Sequence, residues 1–536
     1  MKRPVYFVLL MVFILLVAAA CSNDKPSSHE GHNMEEMGDK NTSEGESKKT
    51  KSTSDESNVI IANEFTITAN EQTLKINEET TLPVWTFNGS VPGSEIRVKE
   101  GEKLTINLKN ELPDPVTIHW HGVPVPNEMD GIPGVTMNAV QPGESFTYKF
   151  TADVPGTYWY HSHQDGVNQV DKGLYGAFIV EPNNSKDKPD RDYTLMLDEW
   201  MSRGMSEDNM EGMDHSEMAN DSNKEEKEKS EDDHSDMSQD SGMEMGHDMS
   251  MYDLYTINGK SGSLTKPLKV KKGEKVRIRL INAGFMSHKV HLHGHEFKVV
   301  ATDGQPINNP AFVRDQAISI APGERYDIEF TADNPGKWLL ESHGENVAVT
   351  GMRTYIQYEE SQEENDQSNY SEDLPVLNIT KYGEQSKSQF SLDQNYDLEY
   401  TMDLNTDMRK EEMVYTINDK VWPKTDKIEV EKGDLVKVKL VNNSKEDDHP
   451  MHLHGHFFQI LSKDGKPVSG SPIMKDTLNL KPGEEYIVAF KADNPGNWMF
   501  HCHDLHHASA GMVTQVNYKG YETDFVPDPD AGNQPE

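Results

Sequence analysis

Cysteine is almost absent: 536 residues carry two thiols, Cys21 and Cys502. Cys21 closes an apolar N-terminal run, so no disulfide framework holds this chain together, even where the compartment would permit one. Positive charge is also scarce. Lys and Arg total 52 against 91 Asp and Glu, a formal net charge of −39. That excludes nucleic-acid binding by bulk electrostatics and favours attraction of cations. Long apolar runs are missing except from Val5 to Ala20, behind Met1-Lys2-Arg3. That run is short for a membrane span and describes a secretory signal peptide.

Two tracts lack apolar residues almost entirely. Residues 1–20 read as the signal peptide, and Ala18-Ala19-Ala20-Cys21 resembles a bacterial lipobox, which implies cleavage before Cys21 and lipidation of its thiol. Diacyl attachment anchors firmly where one chain is marginal, so an extracytoplasmic, membrane-anchored lipoprotein is expected. Residues 21–58 cannot bury a core and are expected to form a disordered tether. Residues 201–251 are acidic, polar and small, yet hold ten of the 26 Met. Met243, Met245, Met249 and Met251 suit soft Cu(I), because thioethers select it.

From Val59 the chain repeats itself. Val98-Lys-Glu-Gly101, Val270-Lys-Lys-Gly273 and Val430-Glu-Lys-Gly433 each open an alternating strand, then a His-x-His-Gly, a Pro-Gly-Glu turn, and Ala-Asp-x-Pro-Gly before a Trp. Many short alternating strands with Gly/Pro turns predict an all-β sandwich architecture. The repeat predicts three domains, 59–182, 183–358 and 373–516, with a polar linker at 359–372. The Pro- and Asp-rich tail, 517–536, is expected to dock loosely or be disordered.

The chemistry concentrates at Trp498-Met-Phe-His501-Cys502-His503-Asp-Leu-His506-His507-Ala-Ser-Ala-Gly511-Met512. On a strand, His501 and His503 share one face and Cys502 takes the other. A thiolate with imidazoles and a weak thioether is the ligand set of a blue-copper site. His507 and Met512 stand five and ten residues beyond Cys502.

With His119-Trp-His121-Gly122, His161-Ser-His163 and His449-Pro-Met-His452-Leu-His454-Gly455, this stretch resembles the four signatures of the multicopper oxidases, in order, over roughly residues 59–520. The resemblance implies three tandem cupredoxin-like Greek-key domains and four copper ions. It assigns His449, Cys502, His507 and axial Met512 to type 1 copper. Type 2 copper takes His119 and His452. The type 3 pair takes His121, His161, His163, His454, His501 and His503. Asp130 matches an acidic residue that delivers protons in bacterial members, although Met129-Asp130-Gly131 also has turn chemistry. Ala508 stands where bacterial members often carry Glu, which leaves Asp504 or a water chain as substitute.

In the second domain, His288-Lys-Val-His291-Leu-His293-Gly294 mirrors the third-domain motif, and Glu341-Ser342-His343 stands where His501-Cys502-His503 would. Ser342 excludes a second blue copper, and the reading preferred here is residual structural histidines. The expected activity is oxidation of Cu(I) for copper tolerance, coupled to reduction of O2 to water. Laccase-like oxidation of small phenols is the alternative, and copper sequestration without turnover is the competing class. A monomer is expected. Two-domain copper nitrite reductases lack the paired His-x-His motifs.

Overall fold

Leu104, Ile106 and Leu108 point inward from the Glu102–Asn110 strand while their neighbours face outward. The same alternation recurs in Leu435–Asn442 and in the first half of Lys275–Asn282, which is buried on both faces from Ile278 on. Each of the three strands pairs antiparallel with the strand after its Pro-Gly-Glu turn: Ser145–Ala152, Arg325–Thr331 and Glu485–Lys491. Each pairs on its other edge, in parallel, with Glu64–Lys75, Arg191–Trp200 or Leu398–Arg409. The computed structural model describes residues 58–184, 188–202, 251–344, 351–361, 374–410 and 412–536. Among them the strands form six sheets, two per sandwich. The architecture is therefore all-β, in three tandem sandwiches.

The second sheet of each sandwich carries the histidine motifs. Its central pairs are His119–His121 with Gly156–His161, His288–Leu292 with Lys337–His343, and His449–Leu453 with Asn497–Cys502. Trp120, Trp159 and Trp498 are fully buried beneath these strands, and large rings supply much of the apolar burial that fixes them. One turn of the second sandwich reaches the first and third. Gly323 has φ +81°, and a Cβ there would lie 2.9 Å from the ring of His503 and 3.1 Å from that of His121. Only glycine permits that approach.

The Met-rich insertion leaves from a neck. Trp200 pairs with Leu254, and both the backbone N–H and the hydroxyl of Ser202 donate to the Asp253 carboxylate. Met251 is exposed. Met243, Met245, Met249, Cys21, the signal peptide and the tether lie outside the described residues. Among the described residues no helix is long and apolar enough to cross a membrane.

The tail corrects an expectation. It is bound to the first sandwich by specific hydrogen bonds. Asp165 N–H donates to Gln534 O at 2.9 Å, Gln164 Nε2 to Gly532 O at 2.8 Å, and Ala139 N–H to Asn533 Oδ1 at 2.8 Å. A largely polar segment with few apolar anchors, among them Ala531, docks here because its backbone and amides find fixed partners, and each such bond contributes about 1 kcal/mol net.

Candidate metal centre

Cys502 ends the Asn497–Cys502 strand, buried opposite Met451. Its Sγ lies 3.6 Å from His507 Nδ1 and 3.9 Å from His449 Nδ1, and the two nitrogens are 3.3 Å apart. The Ser444 hydroxyl sits 2.7 Å from His449 Nε2, which leaves Nδ1 turned to the thiol. His507 belongs to the short helix Leu505–Ser509, capped by Asp504, whose side chain accepts from His506 N–H. Tyr415 stacks on the His507 ring at 3.9 Å. Met512 is fully buried in the same core as Cys502, and Cys502 N–H donates to its carbonyl at 3.0 Å. Burial pushes the Cys502 thiol up, and Asp504 adds to it. A soft cation is what would release that proton.

On the opposite face of this strand, eight histidines from the first and third sandwiches converge. His121, His161 and His503 form one triad and His163, His454 and His501 another, with donor atoms in each within 4.8 Å of one another. His119 and His452 complete the set beside His121. His121 stacks on His452 at 3.7 Å and His119 on His454 at 4.0 Å, so the two sandwiches meet with approximate twofold symmetry.

The donor set fits metal. His119 Nε2, His161 Nε2, His452 Nε2 and both ring nitrogens of His503 are buried without a hydrogen-bond partner. Each such atom costs about 1–3 kcal/mol unless something binds it. Burial, with the neighbouring imidazoles, pushes His121, His161, His454, His501 and His503 well below the ordinary histidine value, and His163 to about 3. Neutral imidazoles with shared open positions suit copper.

Two carboxylates brace the cluster. Asp130 Oδ1 lies 3.2 Å from His119 Nδ1, and its Oδ2 lies 2.9 Å from His454 Nδ1. Asp476, absent from the sequence reading, answers it across the pseudo-twofold. Its Oδ1 lies 3.2 Å from His121 Nε2 and 3.5 Å from His452 Nδ1. Arg325 of the second sandwich grips Asp476 through two hydrogen bonds of 2.6 Å. Burial alone would raise the Asp476 carboxyl; the guanidinium overrides it and holds the group below the usual range. Glu536 reaches the same cluster from the tail, 3.2 Å from His163 Nε2 and 3.2 Å from His501 Nδ1. Asp504 instead faces the thiolate site, 3.4 Å from His507 Nε2. His456 and His506 are both buried: His456 bonds the Tyr518 hydroxyl at 2.6 Å, and His506 packs on Phe285.

The outer edge of His507 opens into a recess of about 300 Å³. Glu446, Asp447, Asp448 and Asp504 line it, with Met286, Phe285 and Tyr415. A sequence signal existed: the acidic run Glu446-Asp447-Asp448 directly precedes His449. Tyr252, the first buried residue after the Met-rich insertion, packs on Phe285 and lies 3.5 Å from His506 Nε2.

An all-β fold with a Cys/His site beside an eight-histidine cluster defines a copper oxidoreductase. Models of the multicopper oxidase family match residues 68–185 and, in a second segment pair, 231–363 and 391–520. The chain is 31% identical over 440 residues to multicopper oxidase MmcO of Mycobacterium tuberculosis, covering 81% of this chain and 82% of that one. It is 24% identical over 549 residues to copper resistance protein A of Escherichia coli, covering 80% and 88%. Among solved structures it resembles a multicopper oxidase from Campylobacter jejuni, titled a metallo-oxidase, at TM-score 0.61 and 25% identity over 87% of this chain and 92% of that one. The chain belongs to the multicopper oxidase family. It is a copper-dependent oxidoreductase that uses four coppers and takes O2 as acceptor.

Proposed function

We propose that this enzyme oxidises a small metal cation, Cu(I) first, at the recess beside His507. The single observation that carries this reading is the lining of that recess: four carboxylates and Met286. Clustered carboxylates raise the local concentration of cations, and a thioether selects soft Cu(I). A phenol would need an apolar slot, whereas here Phe285, Tyr415, Pro322 and Pro450 share the lining with four carboxylates. The Met-rich insertion supports the same reading, because its neck opens where Tyr252 meets His506.

In this reading His449, Cys502 and His507, with the Met512 thioether, would hold type 1 copper. His119 and His452 hold type 2 copper. His121, His161 and His503 hold one type 3 ion, and His163, His454 and His501 the other. Four coppers bound there would supply one-electron redox chemistry, sufficient together for the four-electron reduction of O2 to water. The protein supplies geometry. The backbone of Cys502 joins the thiolate to His501 and His503 through a few covalent bonds. Asp130 accepts the Nδ1 proton of His454 on its carboxylate and that of His119 on its backbone carbonyl, and so aims their Nε2 atoms inward. It is also the carboxylate placed to pass protons to the cluster.

The leader 1–20 and Cys21 support an extracytoplasmic, lipid-anchored enzyme, and the repeat supports domains at 59–182, 183–358 and 373–516. The test is oxygen uptake with Cu(I), Fe(II) and a phenol side by side, on the native chain and on Asp447→Asn/Asp448→Asn. Cu(I) turnover should exceed phenol turnover and lose about 10-fold in kcat/KM in the variant, roughly the 1.4 kcal/mol of two weakened contacts. Faster phenol oxidation, untouched by the variant, would reject the cation assignment.

A further inference from the structure

The second sandwich repeats half of the histidine cluster in space as well as in sequence. His291 stands opposite Glu341 and Val290 opposite Ser342, in the register that sets His452 opposite His501 and Met451 opposite Cys502. The outer nitrogen is pegged the same way in both: His291 Nδ1 donates to Gln316 O at 3.1 Å, as His452 Nδ1 donates to Asp476 O at 3.0 Å. Three imidazoles and one carboxylate therefore converge. His293 Nε2 lies 3.0 Å from Glu341 Oε1 and 3.3 Å from His343 Nε2, and Glu341 Oε1 lies 3.8 Å from His343 Nε2. The His291 ring lies 4.5 Å from that of His293 and 5.6 Å from that of His343.

We propose that His291, His293, His343 and Glu341 form a fifth metal site that holds one divalent cation of borderline softness, Cu(II) or Zn(II). Three imidazoles and a carboxylate are a complete four-coordinate set for either ion. Cu(II) binds the tighter of the two by the Irving–Williams order. Ser342 in place of cysteine removes the thiolate, so the ion has no blue character and no covalent link to the other coppers. The side chains of Glu341 and His343 are 20% and 11% exposed, so a cation can reach the site from solvent.

The experiment loads the full chain with its four coppers, equilibrates it with micromolar Zn(II), and counts metals by elemental analysis. The native chain should hold one more zinc than His293→Gln or His343→Gln, with blue absorbance and copper content unchanged. The Met-rich and N-terminal tracts are common to all three proteins, so only this site contributes to the difference. His343→Gln sits at the partly exposed edge and decides alone if His293→Gln misfolds. In a parallel arm, Cu(II) added beyond four equivalents should give a non-blue paramagnetic signal that His343→Gln loses. A difference in either arm assigns the site and its preferred ion. Equal metal content and equal signals in both arms mean a structural histidine cluster only, and overturn the proposal.

Discussion

The carboxylate of Asp130, on the first sandwich, accepts the Nδ1 proton of His454, on the third, at 2.9 Å. The Asp130 backbone carbonyl accepts from His119 Nδ1 at 2.9 Å, with the carboxylate 3.2 Å from the same atom, so one buried residue sets the orientation of two imidazoles from different domains.

Asp130→Asn keeps the size of this brace and loses its charge and its proton. Reoxidation of the reduced enzyme by O2 should slow by about 10–100-fold, the usual effect of removing a partner behind a metal ligand. Reduction of the blue centre should keep its rate, because Asp130 touches none of His449, Cys502 or His507. Stopped-flow traces at the two steps separate these outcomes, with copper content measured on the same samples. Equal slowing of both steps would make Asp130 a structural brace alone.

Arg325→Leu removes one of two cations from a fully buried set, leaving Lys475 paired with Asp303. Asp476 loses both of its 2.6 Å bonds, and Asp303 loses a partner at 3.6 Å. Leaving a buried carboxylate uncompensated costs about 3–5 kcal/mol. The variant should unfold at markedly lower denaturant in the metal-free state. Arg325→Leu/Asp476→Leu should recover part of that loss, because no charge is then stranded. A single variant as stable as the parent would show that the pair contributes nothing.

The contrast between Asp130 and Asp476 explains what the chain discloses before it folds. Asp130 lies nine residues past His121, within one motif, so local reading reaches it. Asp476 lies 22 residues past His454, on the segment between the Ile473–Lys475 and Thr477–Leu480 strands. Only the pairing of His452 with Thr477 brings it beneath the cluster, and long-range register of that kind leaves no local mark. The alternation of strand faces makes the opposed roles of Cys502 and its flanking histidines legible, because side-chain direction on a strand has period two. The tail was misread for a different reason. Its polarity resembles that of a solvated segment, and its partners, Gln164, Asp165 and Asn138, are spread over the first sandwich.

Removing residues 531–536 should expose the His163 and His501 side of the cluster, which Glu536 now covers. Copper should then pass from the cluster to an external chelator about 10-fold faster, within the range seen when outer contacts of a metal site are lost. Blue absorbance should persist, since no tail residue touches Cys502 or His507. The time courses of copper release and of blue absorbance give the two readouts. Release at the parent rate would mean that the tail covers the cluster without guarding it.

Deleting residues 203–250 tests the insertion itself. Its two ends already meet: Ser202 bonds Asp253, and Trp200 pairs with Leu254. A short Gly/Ser join therefore closes the hairpin without strain on either strand. All four coppers should bind as before, because none of the proposed ligands lies in the deleted segment. The consequence should fall on the substrate. The deleted thioethers no longer gather Cu(I) next to the recess where Tyr252 meets His506, so Cu(I) oxidation at low copper should drop roughly 10-fold through KM, with little change in kcat. Oxidation of a bulky phenol should hold or rise, because a phenol draws nothing from the deleted thioethers. Steady-state kinetics of both substrates on both proteins decide between three accounts. A selective loss of Cu(I) affinity supports the insertion as a collector of soft copper. An equal loss for both substrates would make it structural. No change in either would leave the acidic recess as the sole basis for a preference for cations.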